Sequence, residues 1–163
     1  MRILKTLLLF FLIAALGIPG QAFTFNTLSI DLQENGDCIA DFNYSMTFWE
    51  YIGYYTKIAS PTDKIREELD KRTSVPVDIL EVTDKYASFK IYNYATVTDN
   101  NGAITYTVPS LNFSKAEEAL KDHWVSKITS FDLSPEETSI IFPDGYTKTY
   151  YNQADLPQTV HTV

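Results

Sequence analysis

Between residues 28 and 48 apolar side chains recur at every second position. Leu28, Ile30 and Leu32 share a face in one run, and Cys38, Ala40, Phe42, Tyr44, Met46 and Phe48 share a face in the next. A period of two is the pattern of a strand with one buried side. Glu34-Asn35-Gly36-Asp37 separates the runs. A two-residue Asn-Gly turn would pair Leu32 with Ile39 and send the two apolar rows to opposite faces. A three-residue loop, Glu34-Asn35-Gly36 with Gly36 left-handed, pairs Leu32 with Cys38 and Ile30 with Ala40, so both rows reach one core. The expected turn is type I followed by a glycine bulge.

Two further turn signals organise the second half. Asp99-Asn100-Asn101-Gly102 joins a run carrying Phe89, Ile91, Ala95 and Val97 to one carrying Ile104, Tyr106 and Val108. Here a two-residue Asn101-Gly102 turn pairs Val97 with Tyr106 and keeps the apolar faces together. Pro143-Asp144-Gly145 joins residues 138–142 to residues 146–151: Pro presets the first turn dihedral, Asp tolerates the second and Gly takes positive φ.

Elsewhere the spacing changes to that of helices. Phe48, Tyr51, Tyr55 and Ile58 predict a helix over 49–59; Ser60-Pro61 starts another, running to about residue 72, with Ile65 and Leu69 as its apolar stripe. Glu67 with Lys71 and Glu68 with Arg72 are i,i+4 pairs on its wet side. Ser114-Lys115-Ala116-Glu117 reads as a capping box that opens a third helix, with Ala116, Leu120 and Trp124 buried. Residues 75–82 read as a strand. The expected fold is α+β: an antiparallel sheet of hairpins with about three helices packed on one face.

The first 22 residues stand apart from this pattern. Arg2 and Lys5 precede a twelve-residue apolar run, Leu7 to Ile18, and Pro19-Gly20-Gln21-Ala22 ends in small residues, which predicts a signal peptide cleaved after Ala22. The run is short of the roughly 20 apolar residues that span a bilayer, and no second apolar stretch lies near the C-terminus, so no membrane span is expected after cleavage. Cys38 is too far downstream for a lipoprotein signal. No repeat or linker divides the remainder, which reads as one domain over 23–152 and a loose tail over 153–163. The expected location is secreted or at the cell surface.

Loss of residues 1–22 removes Arg2 and Lys5 and no acid, leaving 11 basic and 21 acidic residues, a net charge of −10 against −8 for the whole chain. Scattered and outnumbered cations argue against nucleic acid as a partner, because phosphate binding requires clustered Lys and Arg. The same sign disfavours an anionic bilayer surface. One cysteine closes no intramolecular disulfide, and no Cys/His group has metal-ligand spacing, so neither a cofactor nor a metal is expected.

Catalytic constellations are sparse. His123 sits beside Lys121 and Asp122 on the third helix and His161 is third from the end; both read as surface histidines, since a triad requires geometry and not presence alone. Cys38 falls on an apolar strand face and reads as a small buried hydrophobe. Asp37, Asp99 and Asp144 occupy turn positions that Asp fills for backbone reasons. Asp99-Asn100-Asn101-Gly102 resembles a calcium loop, but its Gly stands fourth instead of sixth and Ser110 occupies the closing position. Gly36, Gly53, Gly102 and Gly145 are isolated, so no phosphate loop is present.

Aromatic residues are the unusual feature: 21 of residues 23–163 are Phe, Trp or Tyr, and 11 of them are Tyr. A strand over 86–97 places Tyr86, Tyr92 and Tyr94 opposite Phe89 and Ile91. Left open, the three would form a platform for sugar rings or a protein partner; covered by helix 49–59, the arrangement the pattern favours, they form a second apolar layer. Asn43-Tyr44-Ser45 and Asn112-Phe113-Ser114 are glycosylation sequons, with Asn43 on the polar face of its strand.

Phe48-Trp49-Glu50-Tyr51 leading into Ser60-Pro61, and Leu133-Ser134-Pro135 with Phe142-Pro143-Asp144-Gly145-Tyr146, make residues 41–61 and 133–151 similar to segments of uncharacterised secreted proteins of methanogenic archaea. That resemblance implies an archaeal exported or envelope protein and carries no functional residue with it. The export signal, the lack of catalytic groups and the aromatic surplus together predict a non-enzymatic exported module that binds a protein or glycan of the cell envelope. The competing expectation is a secreted carboxylate-dependent hydrolase.

Overall fold

Alternation and turn chemistry produce twelve strands in the computed structural model, which describes residues 23–45, 76–83, 85–115, 118 and 131–163. They are β1 (Phe23–Leu32), β2 (Cys38–Ser45), β3 (Val77–Val82), β4 (Tyr86–Ile91), β5 (Thr96–Asn100) and β6 (Ala103–Val108). After them come β7 (Leu111–Asn112), β8 (Phe131–Asp132), β9 (Glu137–Ile141), β10 (Thr147–Tyr151), β11 (Asp155–Leu156) and β12 (Thr159–Thr162). The large sheet runs β10-β9-β1-β2-β4-β3, with β8 also on β1; β12-β6-β5 and β11-β7 form two smaller sheets.

The three turns fold as their residues dictate. Leu32 pairs with Cys38 and Ile30 with Ala40, Gly36 has φ +86°, and its N–H donates to the Gln33 carbonyl at 2.9 Å. Val97 pairs with Tyr106 across Asn101 (φ +57°) and Gly102 (φ +92°), a two-residue type I′ turn. Ile141 pairs with Thr147 around the third turn.

The expected α+β class is corrected by these strands. Among the described residues the only helical positions are 113–115 and 118, and the sheet is not purely antiparallel, because β1 lies parallel to β8 and β9. The helices expected over 49–59 and 60–72 fall outside the described residues. The third begins earlier than its capping box suggests: Asn112 Oδ1, not Ser114, accepts the Lys115 N–H at 2.7 Å and caps the turn. Among the described residues the smaller sheets pack on the apolar face of the large sheet. Leu28, Ile30, Leu32, Phe42, Phe89 and Ile140 share one buried cluster with Tyr106 and Val108 of β6, Leu111 of β7 and Leu156 of β11.

Aromatic rings stitch this core. Phe25 stacks on Phe42 at 5.6 Å and meets Phe113 edge-on at 6.0 Å, and Phe42 meets Phe89 edge-on at 6.0 Å. Residues 153–163 are not a loose tail: β11 pairs with β7 and β12 with β6, and Val163 and Ile104 exchange two backbone hydrogen bonds. Their pattern hid this role, since Thr159 and His161, which alternate with Val160 and Thr162, are not apolar residues that mark a strand.

Candidate functional site

Because β1 and β9 run in the same direction with Asp31 beside Ile141, the turns that follow them lie side by side at one end of the large sheet. The two turns have the same geometry. Gly145 N–H donates to the Phe142 carbonyl at 2.9 Å and Phe142 N–H to Tyr146 at 2.8 Å, matching Gly36 to Gln33 at 2.9 Å and Gln33 to Asp37 at 2.8 Å. Gly145 has φ +87°. Between them opens a cleft of about 690 Å³. Ile141 supplies its half-exposed apolar wall over the buried Leu32 and Phe142, Pro143 and Gly145 one rim, and Asp31, Gln33, Glu34, Asn35, Asp37 and Lys90 its polar groups.

Asp37 fixes the first rim. It is 5% exposed, accepts Asn93 N–H on Oδ1 at 2.9 Å and the Asn35 amide on Oδ2 at 2.9 Å, and lies 3.7 Å from the Lys90 ammonium. The Asn93 backbone donor, with Asn35 and Lys90, holds its carboxyl below the usual carboxylate range despite burial. Lys90 is in turn poised over the Tyr92 ring at 4.8 Å. This chain ends at Asp78, which accepts the Tyr92 hydroxyl at 2.7 Å.

The second rim carries a cluster that the sequence pattern does not announce. His161 Nε2 lies 2.8 Å from Asp144 Oδ2, and Asp144 Oδ1 accepts Tyr146 N–H at 3.0 Å. The imidazole stacks on Tyr146 at 4.3 Å with 13° between planes and lies 4.7 Å from the Phe142 ring. The bond from His161 keeps the Asp144 carboxyl below its ordinary value, with the Tyr146 N–H adding to it. Only a sequence sign of one partner existed, since Asp144 is also the residue the turn needs.

The three tyrosines expected to share a face do not form a platform. The strand ends at Ile91, and Asn93 takes φ +51°, so the alternation is broken before Tyr94. Tyr94 turns into the core at 2% exposure, where burial pushes its phenol well above the ordinary value and its hydroxyl has no hydrogen-bond partner. Tyr86 is half-buried and donates to Asp41 Oδ1 at 2.7 Å. Tyr92 alone of the three stands beside the cleft, through Lys90.

Cys38 is fully buried and its thiol is pushed up by that burial. Asn43 is exposed, with its amide donating to Thr27 Oγ1 at 3.0 Å, whereas Asn112 is half-buried and occupied as a cap. Among the described residues no three His, Cys, Asp or Glu side chains gather as metal ligands, and no helix is long and apolar enough to cross a membrane. Residues 1–22, expected to be a signal peptide, and His123 lie outside the described residues. No family model, curated protein or solved structure matches the chain.

Proposed function

We propose that this chain is an exported, non-enzymatic module that binds an uncharged glycan of the cell envelope in the cleft between the β1–β2 and β9–β10 turns. The observation that carries the reading is the cleft's composition: the half-exposed, apolar Ile141, above the buried Leu32 and Phe142, beside acceptors and donors on Asp31, Gln33, Glu34, Asn35 and Lys90. Apolar walls with a few convergent polar groups are the usual make-up of a small-ligand site. Sugars present both a hydroxyl-rich edge and an apolar ring face. An acidic lining disfavours anionic polymers, and the leader pattern at Arg2, Lys5 and Leu7–Ile18 supports export.

The same carboxylates favour a second reading, a secreted hydrolase with two acidic groups. Against it, Asp37 is held ionised by its donors, the opposite of what a general acid needs. Both readings are tested by incubating the purified chain with neutral envelope polysaccharide. Retention that falls at least tenfold in Gln33→Ala/Glu34→Ala, with the polymer uncleaved, supports the binding module. Release of reducing ends points to the hydrolase, and no retention refutes glycan binding.

A further inference from the structure

The His161–Asp144 pair is placed where it can govern the cleft, and the inference that follows rests on the cleft being the binding site. His161 belongs to β12 in the small sheet, where it pairs with Tyr106 of β6. Asp144 belongs to the β9–β10 turn of the large sheet, flanked by Pro143 and Gly145, which line the cleft. The 2.8 Å contact therefore ties the two sheets together through the rim itself. Phe142, buried beneath the wall of the cleft, touches His161, Tyr146 and Tyr106 at 4.7, 5.8 and 6.4 Å between ring centres. Tyr106 reaches the other rim, with its hydroxyl 3.5 Å from the Glu34 carbonyl.

We propose that His161 and Asp144 form a proton-operated latch that sets the position of the β9–β10 turn and so the shape of the cleft. Histidine is the ordinary side chain that changes charge between pH 5 and 8. Protonated, it donates a charge-assisted bond to the Asp144 carboxylate and presents a cation to the Tyr146 face; neutral, it keeps at most an ordinary hydrogen bond. Several groups surround the imidazole. Asp144 faces it from the turn, Tyr146 and Phe142 from the same hairpin, and Tyr106 from β6, with Glu34 behind Tyr106; Lys148 of β10 is spent over the Tyr150 ring at 5.8 Å. The latch closes when the imidazole takes up a proton and opens when it loses it. It opens again only where Asp144 itself is protonated, in the acid range below the ordinary carboxylate value.

The test is a pH titration of the full chain by amide NMR from pH 8.5 to 5, without ligand. The amides of Phe142, Gly145, Gln33 and Asn35 should move with the same midpoint as the His161 ring. They should be flat over that range in His161→Gln, which keeps a donor but does not titrate, and unchanged in His123→Gln. In Asp144→Asn, β12 amide exchange at pH 6 should quicken about fivefold, the equilibrium effect of replacing a charge-assisted hydrogen bond by an ordinary one. Rim amides that stay still while the His161 ring titrates, or that move equally in His161→Gln, overturn the latch. Retention on neutral envelope polysaccharide, measured at pH 5.5 and 8, separates the two readings: a titrating rim with no retention at either pH leaves the latch and removes the glycan.

Discussion

Gly36 shows how much a single position can carry. It combines φ +86° with a carbonyl that accepts Ala95 N–H at 2.8 Å, and a Cβ there would stand 2.5 Å from the Ala95 carbonyl oxygen. Left-handed backbone costs an L-residue about 1–2 kcal/mol, so Gly36→Ala should lose about 2–4 kcal/mol once the displaced backbone is included. Gly102→Ala, with φ +92° and open space around it, should lose only about 1 kcal/mol by the same strain. Urea unfolding of both variants checks this, and equal losses would show that the contact with Ala95 is irrelevant. Tyr94 makes the opposite case. Its hydroxyl is buried and unpaired, and such a group costs about 1–3 kcal/mol, so Tyr94→Phe should raise the melting temperature; a clear fall would mean the hydroxyl is satisfied in solution. Asp37 sets an acid limit. Its carboxyl is depressed in the folded chain, so its contribution is full above the unfolded value of about 3.9 and is lost as pH falls through the lower folded value. Asp37→Asn should flatten that part of the stability profile, below the ordinary carboxylate value, in urea titrations.

At the level of elements, what the sequence made legible was local. Each of the three turns joins neighbours in the chain, and its Gly, Asn or Pro residues constrain the register directly, which is why the pairings of Leu32 with Cys38 and Val97 with Tyr106 follow from pattern alone. The β1–β9 pairing could not be read, because its register joins segments over 100 residues apart and leaves no mark in either run. The cleft depends on that pairing, so its existence was equally hidden, although Glu34, Asn35 and Asp37 among its polar residues sit in a turn the pattern had located. The tyrosine face failed for another reason: one left-handed residue, Asn93, breaks the period of two on which the assignment rested. The helix start shifted because Asn112 and Ser114 are both good capping residues and only the backbone path selects between them. Asn112→Ala should therefore cost about 1 kcal/mol, the usual value of a lost cap. Ser114→Ala should stay within about 0.5 kcal/mol, as exposed sites generally do. Denaturant midpoints for the pair decide the matter, and a larger loss at Ser114 would restore the capping box.

On the scale of the whole molecule, the large sheet cannot cover its own apolar face, and the layer that does so is closed by the last strand. β6 contributes the buried Tyr106 and Val108 to the common core, and β12 flanks it with Thr159 beside Val108 and His161 beside Tyr106. Removing β12 exposes one edge of that strand, breaks the two bonds between Val163 and Ile104, and deletes the His161 contact to Asp144. The Tyr150 hydroxyl would also lose Thr159, 2.7 Å away. A chain ending at residue 157 should lose several kcal/mol, out of roughly 5–15 kcal/mol for a domain of ordinary stability. It should bind hydrophobic dye as the core opens and precipitate readily through the newly exposed strand edge. The control is a chain in which Val160, which is 57% exposed and points away from the core, is changed to Thr; its unfolding midpoint should hardly move. A truncated chain that unfolds at the same urea concentration as the full one would make residues 158–163 part of the dispensable tail that their composition suggests. A large loss makes the C-terminal strand the element that joins the small sheet to the rim of the cleft.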